Sequence, residues 1–370
     1  MDPKLDCKYY IGEKPCIYKR RCNDCPEYRS RGMQVIIIKL GAMGDALRTT
    51  PLLYAIKRKF PVSTITWLTD KESHKILVNN HLIDELLVNS PDCILPLLSR
   101  RFDWAVCLDK DPTVTSLILQ LNCSHKYGFT LSPYGTLDIL NEASRYALAL
   151  GIDDELKFFI NRKTYQEIIY DMAEVPYQRD EYIFHLSESD SMAAQAVLSS
   201  LEAPGAGPSI GLNTGCGDIF ATKKWPKQHF IDLAKMLRVR LDAKVYLLGG
   251  ESEAAENQEI ETILNKDVLN TGVHSLNIFA GMIKHMDAVI ASDTMALHMA
   301  LAVRTPVIGL FGPTCYQEID FYERGQAIIA QRECTPCYRR ACKDKISCMN
   351  DIQPTAVFDE LLKFVDSREN

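Results

Sequence analysis

The chain has no apolar run approaching the ~20 residues of a membrane-spanning helix. It has no basic excess either. Forty-two lysines and arginines against 48 acids leave a formal net charge of −6, which argues against a nucleic-acid binder, whose footprint would be a basic face. The opening MDPKLDCKYY lacks the apolar centre of a secretory leader, so the expected location is the cytoplasm, where contact with the inner face of the membrane is compatible. Two nucleotide motifs are also missing. The first strand-like run ends in Gly41-x-x-Gly44 rather than G-x-G-x-x-G, and no G-K-[ST] follows it.

What is present is an ordinary globular composition, 46% hydrophobic and 24% charged, in a chain whose 370 residues are too many for one compact core. Two domains are expected. After Met33, short apolar runs alternate with helical stretches. VIIIKL (35–40) is a continuous apolar run of the kind buried on both faces of a parallel sheet. A helix follows, with Thr50 as N-cap and Pro51 at its first position. Further strands are read at 63–70, 84–88, 102–109 and 126–131. The middle, 151–207, is more charged and less periodic, with one helix at 189–201 and a Gly/Pro linker, EAPGAGP, at 202–208. The scheme then restarts, with strands at 208–215, 243–250, 267–272, 287–293 and 305–312 and an amphipathic helix at 353–365. Repeated βαβ units mean an α/β chain of two doubly wound, Rossmann-like halves, with ligands held beyond the carboxyl ends of the strands, in a cleft that the halves share.

Three strand-to-helix turns carry candidate chemistry. GAMGD places Asp45 after two glycines, Gly41 and Gly44, that make a tight turn. NTGCGDIFATKKWP (213–226) offers Gly215, Thr222, Lys223 and Lys224. SDTMALHMA (292–300) offers Asp293, Thr294, Met295, Ala296 and His298. Backbone N–H groups at a helix N-terminus beside a lysine suit a diphosphate. An acid across from a phosphate donor suits a general base. Each residue also has a structural alternative: Asp45 and Asp293 as helix caps, the lysines as a solvated pair, His298 as a satisfied core histidine. Three such turns at equivalent strand ends favour the shared-site reading.

Thirteen cysteines are many for a reducing compartment, and eight fall in two clusters. Cys7, Cys16, Cys22 and Cys25 form C-x8-C-x5-C-x2-C; Cys334, Cys337, Cys342 and Cys348 form C-x2-C-x4-C-x5-C. Four thiolates suit a tetrahedral structural site for zinc or iron, or an iron–sulfur cluster. The alternative is free thiols or disulfides, and it weighs more for the second cluster. The first, in a short segment of little apolar content, needs a clip to fold.

The quoted motifs resemble glycosyltransferase family 9, the heptosyltransferases of the lipopolysaccharide inner core. VIIIKLGAMGDALRTTP is similar to the family's opening strand and G-D-h-h-x-T-x-P turn. IGLNTGCGDIFATKKWP is similar to I-G-h-N-P-G-x…K-x-W-P. SDTMALHMALAVRTPVIGLFGPT is similar to the donor-binding strand and helix, and CTPCYRRACKDKISCM to a cysteine loop found in the family. The resemblance runs from about residue 33 to about 349. It implies a GT-B fold and inverting transfer of a sugar, usually from ADP-heptose, to a glycan hydroxyl without a catalytic metal. It implies Asp45 as general base, Lys223 as the group that neutralises the donor diphosphate, Asp293 as a donor-sugar contact and His298 as the histidine of D-[TS]-x-x-x-H. Backbone donors near Gly215 and Thr294 complete the donor side. Met295 stands where many relatives have glycine, and this leaves the donor open.

The expected layout is a cysteine-rich segment (1–32), an acceptor domain (33–185), a donor domain (186–352) and a C-terminal helix (353–370). Two other functions remain open at this point: another GT-B enzyme acting on a nucleotide sugar, such as an epimerase, or a metal–sulfur sensor on the same scaffold.

Overall fold

A computed structural model describes residues 2–12, 16–202, 204–217 and 221–365. The chain divides into two compact units, and each is discontinuous. The first comprises residues 1–152 and 166–180; the second comprises 153–165 and 181–370.

The first unit holds a six-stranded sheet of β1 (Met33–Ile38), β2 (Ser63–Thr69), β3 (Glu85–Val88), β4 (Arg101–Cys107), β5 (Asn122–Leu131) and β6 (Leu137–Ile139). Their order is β3-β2-β1-β4-β5-β6, parallel throughout except for β6, which runs antiparallel to β5. Val35 to Ile38 are fully buried, as a strand sandwiched between helix layers requires. Ile36 and Ile38 face a cluster with Phe102, Ala105, Val114 and Ile118, which fixes the register of β1 against β4.

The second unit repeats the plan with β7 (Ser209–Asn213), β8 (Lys244–Leu248), β9 (Leu269–Asn270), β10 (Ala288–Ser292), β11 (Val307–Phe311) and β12 (Gly325–Ile329). Their order is β12-β11-β10-β7-β8-β9, with every pairing parallel. Trp225 is fully buried in the core between this sheet and the helices Lys227–Leu241 and Pro354–Val365, and its indole N–H donates to the Ile352 carbonyl at 3.0 Å. The segment 153–165 joins this unit: Phe158 stacks on Tyr338 with centroids 5.6 Å apart, and the Lys157 ammonium lies 3.8 Å from the same ring.

The strand order locates the ligand positions. In a doubly wound sheet the crevice opens where the order reverses. In the first unit that point lies between β1 and β4, and in the second between β7 and β10. The loops after β1, β7 and β10 are the three turns that the sequence singled out.

One boundary differs from the sequence reading. Met43–Thr49 is already a helix, and Thr50 is its C-cap; the next helix, Leu52–Lys59, has Pro51 at its N-cap. Gly44, the second residue of this seven-residue helix, hid it, since glycine opposes helix formation by about 1 kcal/mol. Among the described residues, no helix is long and apolar enough to cross a membrane.

Candidate active site

The second unit assembles a charged cluster at its switch point. After β7 the chain is pinned from behind. The Asn213 amide donates to the Gly215 carbonyl at 3.0 Å, and the Thr214 hydroxyl donates to Asn257 Oδ1 at 2.6 Å. Gly215 is a necessity here, because a Cβ would lie 2.6 Å from Cδ of Glu253. Neither Glu253 nor Asn257 was visible as a site residue in the sequence. Both come from the turn and helix after β8, about forty residues away, and no motif announces them.

The two adjacent lysines then part company. Lys224 pairs with Glu256 at 2.5 Å. Lys223 turns the other way: its ammonium donates to the Asp293 carbonyl at 2.5 Å and lies 3.8 Å from the Asp293 carboxylate. The other carboxylate oxygen of Asp293 is 3.8 Å from His298 Nε2. His298 is 5% exposed, in the helix Met295–Ala302, and packs beside the Tyr182 ring. A lysine from one loop and an acid and a histidine from another thus meet at one place. Thr222 stands apart, since its hydroxyl donates to the Arg339 carbonyl at 2.7 Å and ties the turn to the second cysteine loop.

The helix Met295–Ala302 begins here with an open end. Thr294 is its N-cap in extended conformation, but no side chain caps it, and the Thr294 hydroxyl is buried without a hydrogen-bond partner among the described residues. The capping alternative for Asp293 is therefore not realised. Met295 and Ala296 supply the first turn, where unsatisfied N–H groups favour an anion.

In the first unit Asp45 is the third residue of Met43–Thr49. The N-cap is Ala42, with no side-chain cap, so Asp45 does not fill that role. Its carboxylate is 43% exposed and 3.6 Å from the buried guanidinium of Arg48. Gly41 is shaped by a neighbour as well: a Cβ would lie 2.5 Å from Oδ2 of Asp70. Gly44 lies within the helix rather than in the turn.

Beneath this loop lies an ion pair that the sequence reading missed. Lys39 Nζ is 3.3 Å from Asp109 Oδ2, which also accepts the Leu40 N–H at 3.0 Å. Burial pushes the Asp109 carboxyl up, but Lys39 and the backbone N–H groups of Asp111 and Leu40 outweigh it and hold the carboxyl below its ordinary value.

The cysteine clusters are not drawn together around single ions. Among the described residues, no group of three or more His, Cys, Asp or Glu side chains is placed to hold a metal ion. No single-ion tetrahedral site is formed by Cys7, Cys16, Cys22 and Cys25, or by Cys334, Cys337, Cys342 and Cys348, as the side chains stand here. All eight are free thiols rather than disulfides. In the second cluster burial pushes the Cys348 thiol up to about 11, with Cys337, Cys334 and Cys342 adding to the shift.

The model of glycosyltransferase family 9 (heptosyltransferase) matches residues 97–347. The chain belongs to glycosyltransferase family 9. It is therefore a glycosyltransferase. A relative, lipooligosaccharide heptosyltransferase 2 of Campylobacter jejuni, is 22% identical over 87% of this chain and 96% of its own length. Among solved structures, a family 9 glycosyltransferase from Veillonella parvula matches with a TM-score of 0.68 at 16% identity, over 91% of this chain and all of its own. The ADP-heptose lipopolysaccharide heptosyltransferase II of Escherichia coli matches with a TM-score of 0.66 at 19% identity, with the same coverage. The two parallel α/β units are thus those of a GT-B family 9 enzyme.

Proposed function

We propose that this family 9 member is an inverting heptosyltransferase that uses ADP-heptose. It places the sugar on a hydroxyl of a glycan such as a lipopolysaccharide core, in the cytoplasm and without a catalytic metal. The observation that carries the reading is the gathering of Lys223, Asp293 and His298 at the uncapped N-terminus of Met295–Ala302. A cation beside free backbone N–H groups suits a diphosphate leaving group. The heptosyltransferase names of the relatives support the sugar.

In this mechanism the second unit, which holds all of the expected donor domain 186–352, binds the donor, and the first unit, which holds most of 33–185, binds the acceptor. The acceptor oxygen attacks the anomeric carbon while its proton passes to the Asp45 carboxylate. The bond to the diphosphate breaks with its electron pair leaving on the phosphate oxygen, so the anomeric configuration inverts. The charge that develops there is met by Lys223 and by backbone N–H groups near Gly215 and Thr294. Asp293 holds the donor sugar, with His298 fixing its carboxylate.

A thermal-shift panel of nucleotide sugars, followed by transfer assays with NMR of the product anomer, tests the reading. The expected result is stabilisation by ADP-heptose above other nucleotide sugars, inversion, and turnover that survives EDTA. Retention of configuration, or activity lost to EDTA and restored by Mg²⁺, would overturn it.

A further inference from the structure

None of the described residues among positions 2–32 is buried. Leu5, Ile11 and Ile17 are more than half exposed. A stretch of this length with no interior cannot hold its shape by apolar burial. It nonetheless has a repeated local design. Cys7, Cys16 and Cys25 each open a hydrogen-bonded turn, their carbonyls accepting the N–H of Tyr10, Lys19 and Tyr28 at 3.1, 2.8 and 3.2 Å. Lys19 and Asp24 adopt positive φ, 51° and 52°, so the chain reverses sharply after Cys16 and between Cys22 and Cys25.

The turns aim at one place. Cys7, Cys16, Cys22 and Cys25 all line a single cavity of about 300 Å³. No three of them come together round one ion. A zinc site draws its four sulfurs to about 2.3 Å from the metal, which leaves no room at its centre. A cubane of four irons and four sulfides is a much larger body, and its cysteines stand apart at its corners. The charge lining agrees with a tetrathiolate centre: Lys4, Lys19, Arg20 and Arg21 line the cavity, and among the described lining residues none is acidic. Charge alone suits zinc equally; a cavity lined by all four cysteines matches the larger body.

We propose that the N-terminal segment is built around a [4Fe–4S] cluster held by Cys7, Cys16, Cys22 and Cys25, which supplies the interior that its side chains do not.

The test is elemental analysis of the full chain purified anaerobically and reconstituted with equal ferrous and ferric iron and with sulfide. The Cys334→Ser/Cys337→Ser protein, whose second cluster is disabled, should carry about four irons and four acid-labile sulfides. It should also show visible absorbance that dithionite bleaches. Cys22→Ser/Cys25→Ser should lose four of each from the wild-type content, and proteolysis should then cut within residues 2–32. Stoichiometric zinc without sulfide in the Cys334→Ser/Cys337→Ser protein would overturn the proposal. So would iron and sulfide that leave with Cys334 and Cys337 and stay when Cys22 and Cys25 are replaced. If Cys22→Ser/Cys25→Ser fails to fold, the sulfide content of the Cys334→Ser/Cys337→Ser protein decides alone.

Discussion

Replacing Lys223 with methionine keeps most of its length and removes its charge. Its ammonium is engaged by Asp293, through the carbonyl at 2.5 Å and the carboxylate at 3.8 Å. A diphosphate must draw it away from a partner, so the gain on binding is that of one charge-assisted hydrogen bond rather than of a bare ion pair. Such a bond is worth about 1.5–3 kcal/mol. At 1.4 kcal/mol per factor of ten, ADP affinity should fall by roughly 10- to 150-fold. The loss in kcat should be at least as large, because the leaving group gains charge only as the bond breaks. Titration calorimetry with ADP at two salt concentrations measures the first effect, and single-turnover transfer the second. Lys223→Arg should recover part of the affinity, since the charge returns in a different geometry. ADP affinity within about threefold of wild type would refute the reasoning, because a charge-assisted contact to the diphosphate is worth more than that. Lys223 would then be a residue that only braces Asp293.

Three further outcomes are expected. Asp45→Asn should lower kcat/KM by about 10²–10⁴, the usual contribution of a positioned general base, while ADP affinity stays within about threefold; normal turnover would remove Asp45 from proton transfer. Trp225→Ala should cost about 3–5 kcal/mol by urea unfolding, because a fully buried indole and its bond to Ile352 are lost together, and a cost under 1 kcal/mol would contradict the packing. Asp109 has a folded carboxyl below its unfolded value, so its stabilisation is fully present above about pH 5 and is lost as pH falls through the folded value. The stability gap between wild type and Asp109→Asn should therefore be flat at neutral pH and close in acid; a gap that widens in acid would reverse the sign.

The strands were legible wherever both faces are buried, because continuous apolar runs such as Val35–Ile38, Ala288–Ser292 and Val307–Phe311 have no other reading. Of the four edge strands, β3 and β9 were read but β6 and β12 were not. Gly325–Ile329 is only partly buried and starts on glycine, and Leu137–Ile139 is three residues long and needs its antiparallel partner to exist. Asp45, Lys223, Asp293 and His298 could be proposed as site residues because they lie in the segments that follow β1, β7 and β10, next to the switch point of each sheet. Glu253 and Asn257 could not, since their role is to shape the backbone at Gly215 from a distant stretch of chain. Nor does anything in the composition of 153–165 mark it as packing with the second unit. Its aromatic and cationic contacts to Tyr338 exist only once both segments are folded.

The path of the chain passes from one unit to the other three times, after residues 152, 165 and 180. Neither unit is a single stretch of the gene, so no single cut releases either one whole. A protease that nicks one crossing leaves two covalent tethers intact. An expression fragment ending near residue 150 would lack Gln166–Asp180, whose Tyr170 hydroxyl bonds the Pro51 carbonyl at 2.6 Å directly behind the Asp45 helix. Supplying that piece as a separate peptide would turn this threading into a complementation assay, in which the two parts of the first unit must find each other before it can fold.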